Sequence, residues 1–378
     1  MIRILQILII LFPTTLCGQS GQAFQFSGQA SVWTNINPGN QKPVWAGVRY
    51  IPQANYEIPQ KNSKLIDFEV SANIFGSTNF GSSSSRSTDG QIKPYRVWGR
   101  YSGNQFEMRL GLQKINFGSA AMLRPLMWFD RMDPRDPLQL TDGVWGILGR
   151  YYFLNNANLW LWGLYGNEEP KTWEVGPTAV RTPEWGGRLQ IPVWRGEAAL
   201  SAHHRQVDTQ SFVPFSTGLS KIPETRVGFD TKWDLEVGLW IEASLISKHR
   251  DFGMLTHQHM VTTGVDYTFG IGNGLNAMIE HLWFAPGREL FDWVESVNFS
   301  AFSASYPLSI FANINAIVYY DWKNNQSYNF INIKQDYRKI TFYLMGFWNP
   351  DTFQLPQQTG SESLFSGRGL QVMLVYNH

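Results

Sequence analysis

Residues 64–75 read KLIDFEVSANIF, with Ile66, Phe68, Val70, Ala72 and Ile74 on one parity and Asp67, Glu69, Ser71 and Asn73 on the other. Successive side chains of an extended strand point to opposite faces. The segment is therefore a ribbon that is greasy on one side and polar on the other. A soluble sandwich accepts such a ribbon with its apolar face on a core. So does the wall of a lipid-embedded barrel, where the apolar face meets acyl chains and the polar face lines a wet lumen. One strand does not choose between them; the rest of the chain does.

Period-two alternation bounded by turn residues recurs along the sequence. It predicts strands near 24–35, 44–58, 64–75, 93–101, 104–113, 143–153, 158–166, 184–192, 196–206, 225–233, 235–247, 259–269, 274–284, 294–306, 308–320, 327–335, 338–348 and 367–377. Connections after even strands are tight, as at KNS, at the Arg195 turn, at Pro307 and at Asp336. Those after odd strands are longer: GSTNFGSSSSRSTDGQ from Gly76, the stretch 114–142, and SFVPFSTGLSKIPE from Ser211. Short turns at one end and long loops at the other are the asymmetry of a transmembrane barrel. Sandwiches cross at both ends and do not segregate lengths in this way. Twelve residues at about 3.3 Å each, tilted by about 40°, rise about 30 Å, enough for an apolar band of about 25 Å with its rims. The expected fold is all-β: a transmembrane antiparallel up-and-down β-barrel of about 18 strands, with short periplasmic turns and long outer loops. Sixteen strands stays open, because 44–58 and 294–306 alternate less sharply.

Composition points the same way. Only 16% of residues are charged, against roughly 25% in soluble domains. The 16 Trp, 15 Tyr and 25 Phe exceed what one soluble core readily buries, and aromatic belts at two bilayer interfaces would use them. No stretch approaches the roughly 18 consecutive apolar residues of a membrane helix, so a membrane location requires strands. A net charge of +1 argues against a nucleic-acid binder relying on a basic field.

The first residues, MIRILQILIILFPTTLCGQS, put an apolar run from Ile4 to Phe12 behind Arg3, the layout of a secretory signal peptide. Residues 1–22 are expected to be that signal, and residues 23–378 a single barrel domain. The one cysteine, Cys17, falls in the cleavage region. A lipoprotein anchor there is an alternative, disfavoured by Leu16 just before it. Without Cys17 the mature chain has no disulfide and no thiolate ligand.

In RLGLQKINFGSA (109–120), Gly111, Gln113, Phe117 and Gly118 resemble the strand end that precedes the long inserted loop of outer-membrane porins. In overall layout the chain is similar to the 18-stranded substrate-selective and alginate-export porins of Gram-negative outer membranes. Leu112 stands where those proteins tend to carry a basic residue, so the resemblance names no particular substrate.

The resemblance implies that the loop at 114–142 folds into the lumen and narrows it. Its Met122, Leu123, Leu126, Met127, Trp128 and Phe129 are too apolar for a solvated loop. Arg124, Asp130, Arg131, Asp133, Arg135 and Asp136 are then expected at the pore constriction, where charge and diameter select solutes. The bland alternative is that Asp133, Pro134, Asp136 and Pro137 only make turns. Opposite an outward series that includes Tyr95, Val97, Met108 and Leu110, parity puts Arg96, Arg100, Arg109, Arg150 and Arg188 on the inner face, with Arg205 and Arg226 continuing more loosely. Asp67 and Glu69 share that face, Glu107 is a ready partner for Arg109, and Glu242, Asp266 and Glu280 form a later acidic arc. Arg-rich and acid-rich arcs on one ring would set a field across the lumen; mutual pairing is the competing reading.

The expected function is passive diffusion of small polar solutes, anions or acidic oligosaccharides among them. The expected surroundings are the lipid bilayer and lipopolysaccharide, with a homo-oligomer or an envelope protein as candidate partners and no nucleic acid. Two other readings stand: a structural or secretion-associated barrel that docks a partner, and an envelope hydrolase. For the last, no GxSxG elbow or HExxH helix appears. His203 and His204 point to opposite faces, and His257 and His259 have no third ligand near them, so no metal or cofactor is expected.

Overall fold

The computed structural model describes residues 23–40, 42–80, 88–209, 220–291, 293, 295–351 and 364–378. The expected signal segment, Cys17 included, lies outside the described residues. Among those described, eighteen strands run β1 (Ala23–Ile36), β2 (Val44–Gln60), β3 (Lys64–Phe80), β4 (Thr88–Ser102), β5 (Phe106–Gln113), β6 (Val144–Tyr152), β7 (Asn158–Leu164), β8 (Glu184–Val193), β9 (Gly196–Asp208), β10 (Lys221–Asp234), β11 (Gly238–Lys248), β12 (His257–Phe269), β13 (Leu275–Gly287), β14 (Val297–Ser309), β15 (Ala312–Asp321), β16 (Gln326–Tyr337), β17 (Ile340–Trp348) and β18 (Arg368–Asn377). Each pairs antiparallel with its neighbours in sequence, and β1 also pairs with β18, which closes the ring. His378 continues the seam: it exchanges two backbone hydrogen bonds with Gly28, at 3.0 and 3.1 Å. Closure satisfies every strand edge, which a lipid solvent demands. The count is eighteen rather than sixteen, and the less sharply alternating segments are strands β2 and β14.

The connection asymmetry holds, with two-residue turns at 194–195 and 338–339 against long connections at 114–143 and 165–183. Arg195 and Arg338 adopt φ of 50° and 53°, the left-handed conformation that tight hairpin turns require. The connection after β3 is shorter than the sequence suggests, because both strands extend into the polar GSTNF and TDGQ stretches. There the ladder alone supports strand where hydrophobic alternation has stopped.

The wall is inverted relative to a soluble protein. Phe68, Val70, Leu110, Leu161, Leu200 and Ile279 all stand exposed on the outside, Leu110 at 64%. Exposed aromatics gather at both ends: Tyr165, Trp185, Trp322 and Trp348 on the long-loop side, and Tyr152, Trp194, Tyr267 and Tyr337 by the short turns. These are the two girdles expected at bilayer interfaces. One residue departs from the alternation. Ser71 pairs with Arg96 but Ala72 with Pro94, so Tyr95, expected on the lipid side, is the extra residue of a bulge. Its ring lies 4.1 Å from the guanidinium carbon of Arg96.

Buried apolar side chains lie inside the ring. Met122, Leu123 and Trp173 pack with Ile246, Leu282, Phe299, Tyr319 and Phe330 on β11 to β16. Ile115, Phe117, Leu126, Trp128 and Phe129 pack with Val144, Leu148 and Trp162 on β6 and β7. In both clusters the wall packs against the connection between β5 and β6, joined in the first by Trp173 of the β7–β8 connection.

Candidate functional site

That connection, residues 114–143, is held by its main chain. A segment inside a barrel must find partners for its N–H and C=O groups, and two wall carboxylates supply them. Glu242 on β11 accepts the N–H groups of Ala120 and Leu126 at 2.9 and 2.6 Å. Glu280 on β13 accepts those of Ala121, Met122 and Leu123 at 2.6, 2.9 and 2.6 Å, and the Trp240 indole N–H at 3.1 Å. Between them, Thr262 on β12 donates to the Leu123 carbonyl at 2.7 Å, and Trp128 donates to Ser244 on β11 at 3.0 Å. Two glycines make the close approach feasible. Gly118 sits at φ 99°, where a Cβ would overlap the Glu242 carboxylate, and a Cβ on Gly228 of β10 would overlap Leu126.

The charged residues of the connection mostly serve the connection itself. Asp130 accepts the N–H groups of Arg131 and Asp142 at 2.8 and 2.7 Å, which joins the two ends of the segment, while its other oxygen is buried without a partner. Burial raises its pKa from the ordinary aspartate value. Arg131 reaches Asp142 at 2.6 Å and Glu169 of the β7–β8 connection at 2.9 Å. Arg124, buried, donates to Asn116 and the Phe117 carbonyl. Asp133 and Arg135 pair with each other, and the Arg135 guanidinium lies 5.2 Å from the Phe330 ring centre. Asp136 accepts the Leu138 N–H at 2.9 Å; burial raises its pKa, against a smaller lowering by Arg49.

Of the wall residues, Arg100 forks onto Asp67 at 2.9 and 2.8 Å and reaches Glu107 at 3.4 Å. Arg109 and Arg150 reach the same Glu107 at 3.2 and 3.4 Å. The guanidinium carbon of Arg109 stands 4.5 Å from the Trp98 ring and that of Arg150 3.8 Å from Trp160. Three arginines thus share two carboxylates, and the Nε–H groups of Arg109 and Arg150 have no protein partner. Glu69 lies in the same neighbourhood, within hydrogen-bond reach of Ser71. Arg96 is turned toward the connection, donating to the Thr141 carbonyl and hydroxyl at 3.1 and 2.6 Å. Arg188 forks onto Asp230 and donates to Ser201, its Nε–H having no protein partner. Asp266 pairs in register with Gly238, toward the short-turn end of β12.

Two features escape the sequence. Glu242 and Glu280 present no open acidic arc, because each is fully buried against backbone N–H groups. A charge lattice also joins Glu174 of the β7–β8 connection to Arg205, Glu224, Arg226 and Lys248 on β9 to β11, with Arg226 to Glu174 at 2.6 Å and Arg205 to Glu224 at 2.7 Å. Alternation marks Arg205, Glu224 and Arg226 as inward, but nothing in sequence marks Glu174 as their partner. His203 bonds Glu184 at 3.1 Å inside the ring, while His204 contacts Thr225 on the other face. Among the described residues no group of three or more His, Cys, Asp or Glu is placed to hold a metal ion.

A closed eighteen-stranded antiparallel ring with an apolar exterior, aromatic rims and a connection folded inside defines the class: a β-barrel of the outer-membrane, porin-like type. Comparison with solved structures finds this fold repeatedly. OccAB4 of Acinetobacter baumannii is 8% identical, with a TM-score of 0.54 over 95% of this chain and 98% of that one. OpdQ of Pseudomonas aeruginosa is likewise 8% identical, at 0.53 over 95% and 98%. Wzi of Escherichia coli, described as a carbohydrate-binding β-barrel involved in group 1 capsule assembly, is 11% identical, at 0.53 over 93% and 83%. No protein-family model matches the chain, and no curated protein does.

Proposed function

We propose that this chain is an outer-membrane channel of a Gram-negative bacterium, embedded among phospholipid and lipopolysaccharide, through which small polar solutes diffuse. The connection 114–143 is its constriction, and Arg100, Arg109 and Arg150 are the stretch that favours anions. The observation that carries the reading is the closed ring whose inner face keeps cationic N–H groups of Arg109 and Arg150 without a protein partner. Aromatic-backed guanidinium groups suit carboxylate or phosphate, and 15% of the Arg109 side chain and 16% of that of Arg150 stay exposed to receive one. Purified protein in a planar bilayer should give discrete conductance steps. A salt gradient should then reveal an anion preference that falls when Arg109→Gln and Arg150→Gln are combined. The absence of steps rules out transport, and an unchanged preference removes the arginines from selectivity. The reading assigns no catalytic role; lipid or peptide turnover abolished by a single Ser or His substitution would contradict it.

A second reading has its own observation. The apolar clusters join the connection to β6 and β7 on one side and to β11 through β17 on another, while Leu138 packs near Trp33 and Met373 on β1 and β18. A segment pinned on so many arcs suits a plugged barrel that docks an envelope partner. An ion-tight barrel that co-purifies with another envelope protein would favour it.

A further inference from the structure

Between the connection and β15 to β17 lies a cavity of 290 Å³, at the lower edge of the roughly 300–1,000 Å³ of small-molecule sites. It sits on the short-turn side of the apolar cluster: along β15 the buried Tyr319 gives way to Asn315 and then Asn313, and along β16 Phe330 gives way to Asn332. We infer that this cavity is a subsite for a neutral saccharide, of about one or two rings.

The chemistry of the lining carries the inference. Its two cations are already matched, Arg135 forking onto Asp133 and Lys334 holding Asp336 at 2.8 Å, and the Asp136 carboxylate accepts the Leu138 N–H at 2.9 Å. What remains is amide. Asn313 and Asn315 are steadied by Ser305 and Ser303, at 3.1 and 3.4 Å. The Oδ1 of Asn332 is buried without any partner, a costly arrangement that a turn of the amide toward a ligand hydroxyl would relieve. Gln139 lines the other side and is held at φ 44°, a strained backbone of the kind found at ligand contacts. Tyr343 and Ile317 add an apolar wall. Paired amides beside a ring and an aliphatic surface match a molecule with hydroxyls on its edges and C–H groups on its faces. An anion would find no unmatched cation here, unlike at Arg109 and Arg150.

The subsite deepens the channel reading and rests on it for how a sugar would arrive, but binding is measured without a membrane. The full chain, in a detergent without sugar headgroups, is titrated by calorimetry with glucose, galactose, maltose and cellobiose, and with galacturonate as the anionic counterpart of galactose. At least one neutral sugar should bind saturably. Asn332→Leu, close in volume, should weaken it at least tenfold, and so should Tyr343→Ala, with both variants retaining the heat-modifiable gel mobility of a folded barrel. Saturable binding by none of the four sugars overturns the proposal. So does galacturonate binding more tightly than galactose, or wild-type affinity in both variants. A barrel that conducts but binds no sugar loses the subsite alone, and one that binds sugar but is ion-tight keeps the subsite and loses the channel.

Discussion

Oε2 of Glu280 accepts the N–H of Leu123 at 2.6 Å across 157 positions of sequence. With the N–H groups of Ala121 and Met122 on the same carboxylate, this clamp fixes where the inserted connection stands inside the ring. Hydrogen bonds to a charged acceptor contribute about 1.5–3 kcal/mol each, and stranding buried donors costs about as much. Glu280→Ala should therefore cost about 3 kcal/mol locally and free the segment. Trypsin added to folded, detergent-solubilised protein should cut at Arg131 or Arg135 at least tenfold faster than in wild type. Equal cleavage would mean that the apolar contacts hold the segment unaided.

Gly118 and Gly166 separate space from strain. Both have positive φ, at 99° and 81°, but a Cβ at Gly118 would overlap Glu242 while one at Gly166 meets nothing within 4 Å. Gly166→Ala should cost about 1 kcal/mol from backbone strain. Gly118→Ala should cost about 2–3 kcal/mol, because the Glu242 clamp must also shift. Thermal unfolding midpoints in one detergent, measured side by side, check the order.

Val70 and Gln53 test the facing of the wall. Val70 is 56% exposed on the outside, while Gln53, paired with Ser71, sits at the same height on the opposite parity. Val70→Arg should cost about 2–4 kcal/mol in a lipid unfolding assay. Gln53→Arg should stay within about 1 kcal/mol. Similar costs would reverse the assignment of inside and outside.

Asp130 predicts a pH dependence of definite sign. Its folded pKa is raised by burial, so the folded protein takes up a proton before the unfolded chain does. The burden of the buried charge is fully present above the folded value. It is relieved as pH falls through the folded value toward about 3.9, the unperturbed aspartate value. The unfolding midpoint should rise over that interval, and the rise should shrink in Asp130→Asn. Asp142 works in the opposite direction: Lys171 and Arg131 outweigh burial and lower its pKa. Its contribution holds above about pH 4 and is lost only as acid titrates the pair below that.

Strand order and wall facing were legible because both depend on short-range signals, period two and turn residues, that every barrel strand repeats. The stretch 64–75 forecast an exposed Phe68 and Val70, and the structure has them so, with the neighbouring Asp67 buried. Tyr95 misled because a bulge adds one residue and resets parity, and Pro94, which cannot donate to a ladder, is the local hint of the insertion. Glu242 and Glu280 were legible as inward but not as clamps, because their partners are backbone N–H groups, which have no sequence signature. Asp130, Asp133 and Arg135 read as pore charges from their composition alone. Their hydrogen-bond partners as described lie within a few residues or across the neck of the segment, a choice made by backbone geometry rather than residue type.

The Glu242 and Glu280 clamps grip main chain, and main chain is common to all amino acids. A substitution along 120–126 consequently leaves the grip's chemistry intact and is felt through packing alone, since Met122, Leu123 and Leu126 are buried against the wall. In such a barrel the anchorage of the inserted segment is indifferent to residue type, and residue type decides only how tightly the segment seats.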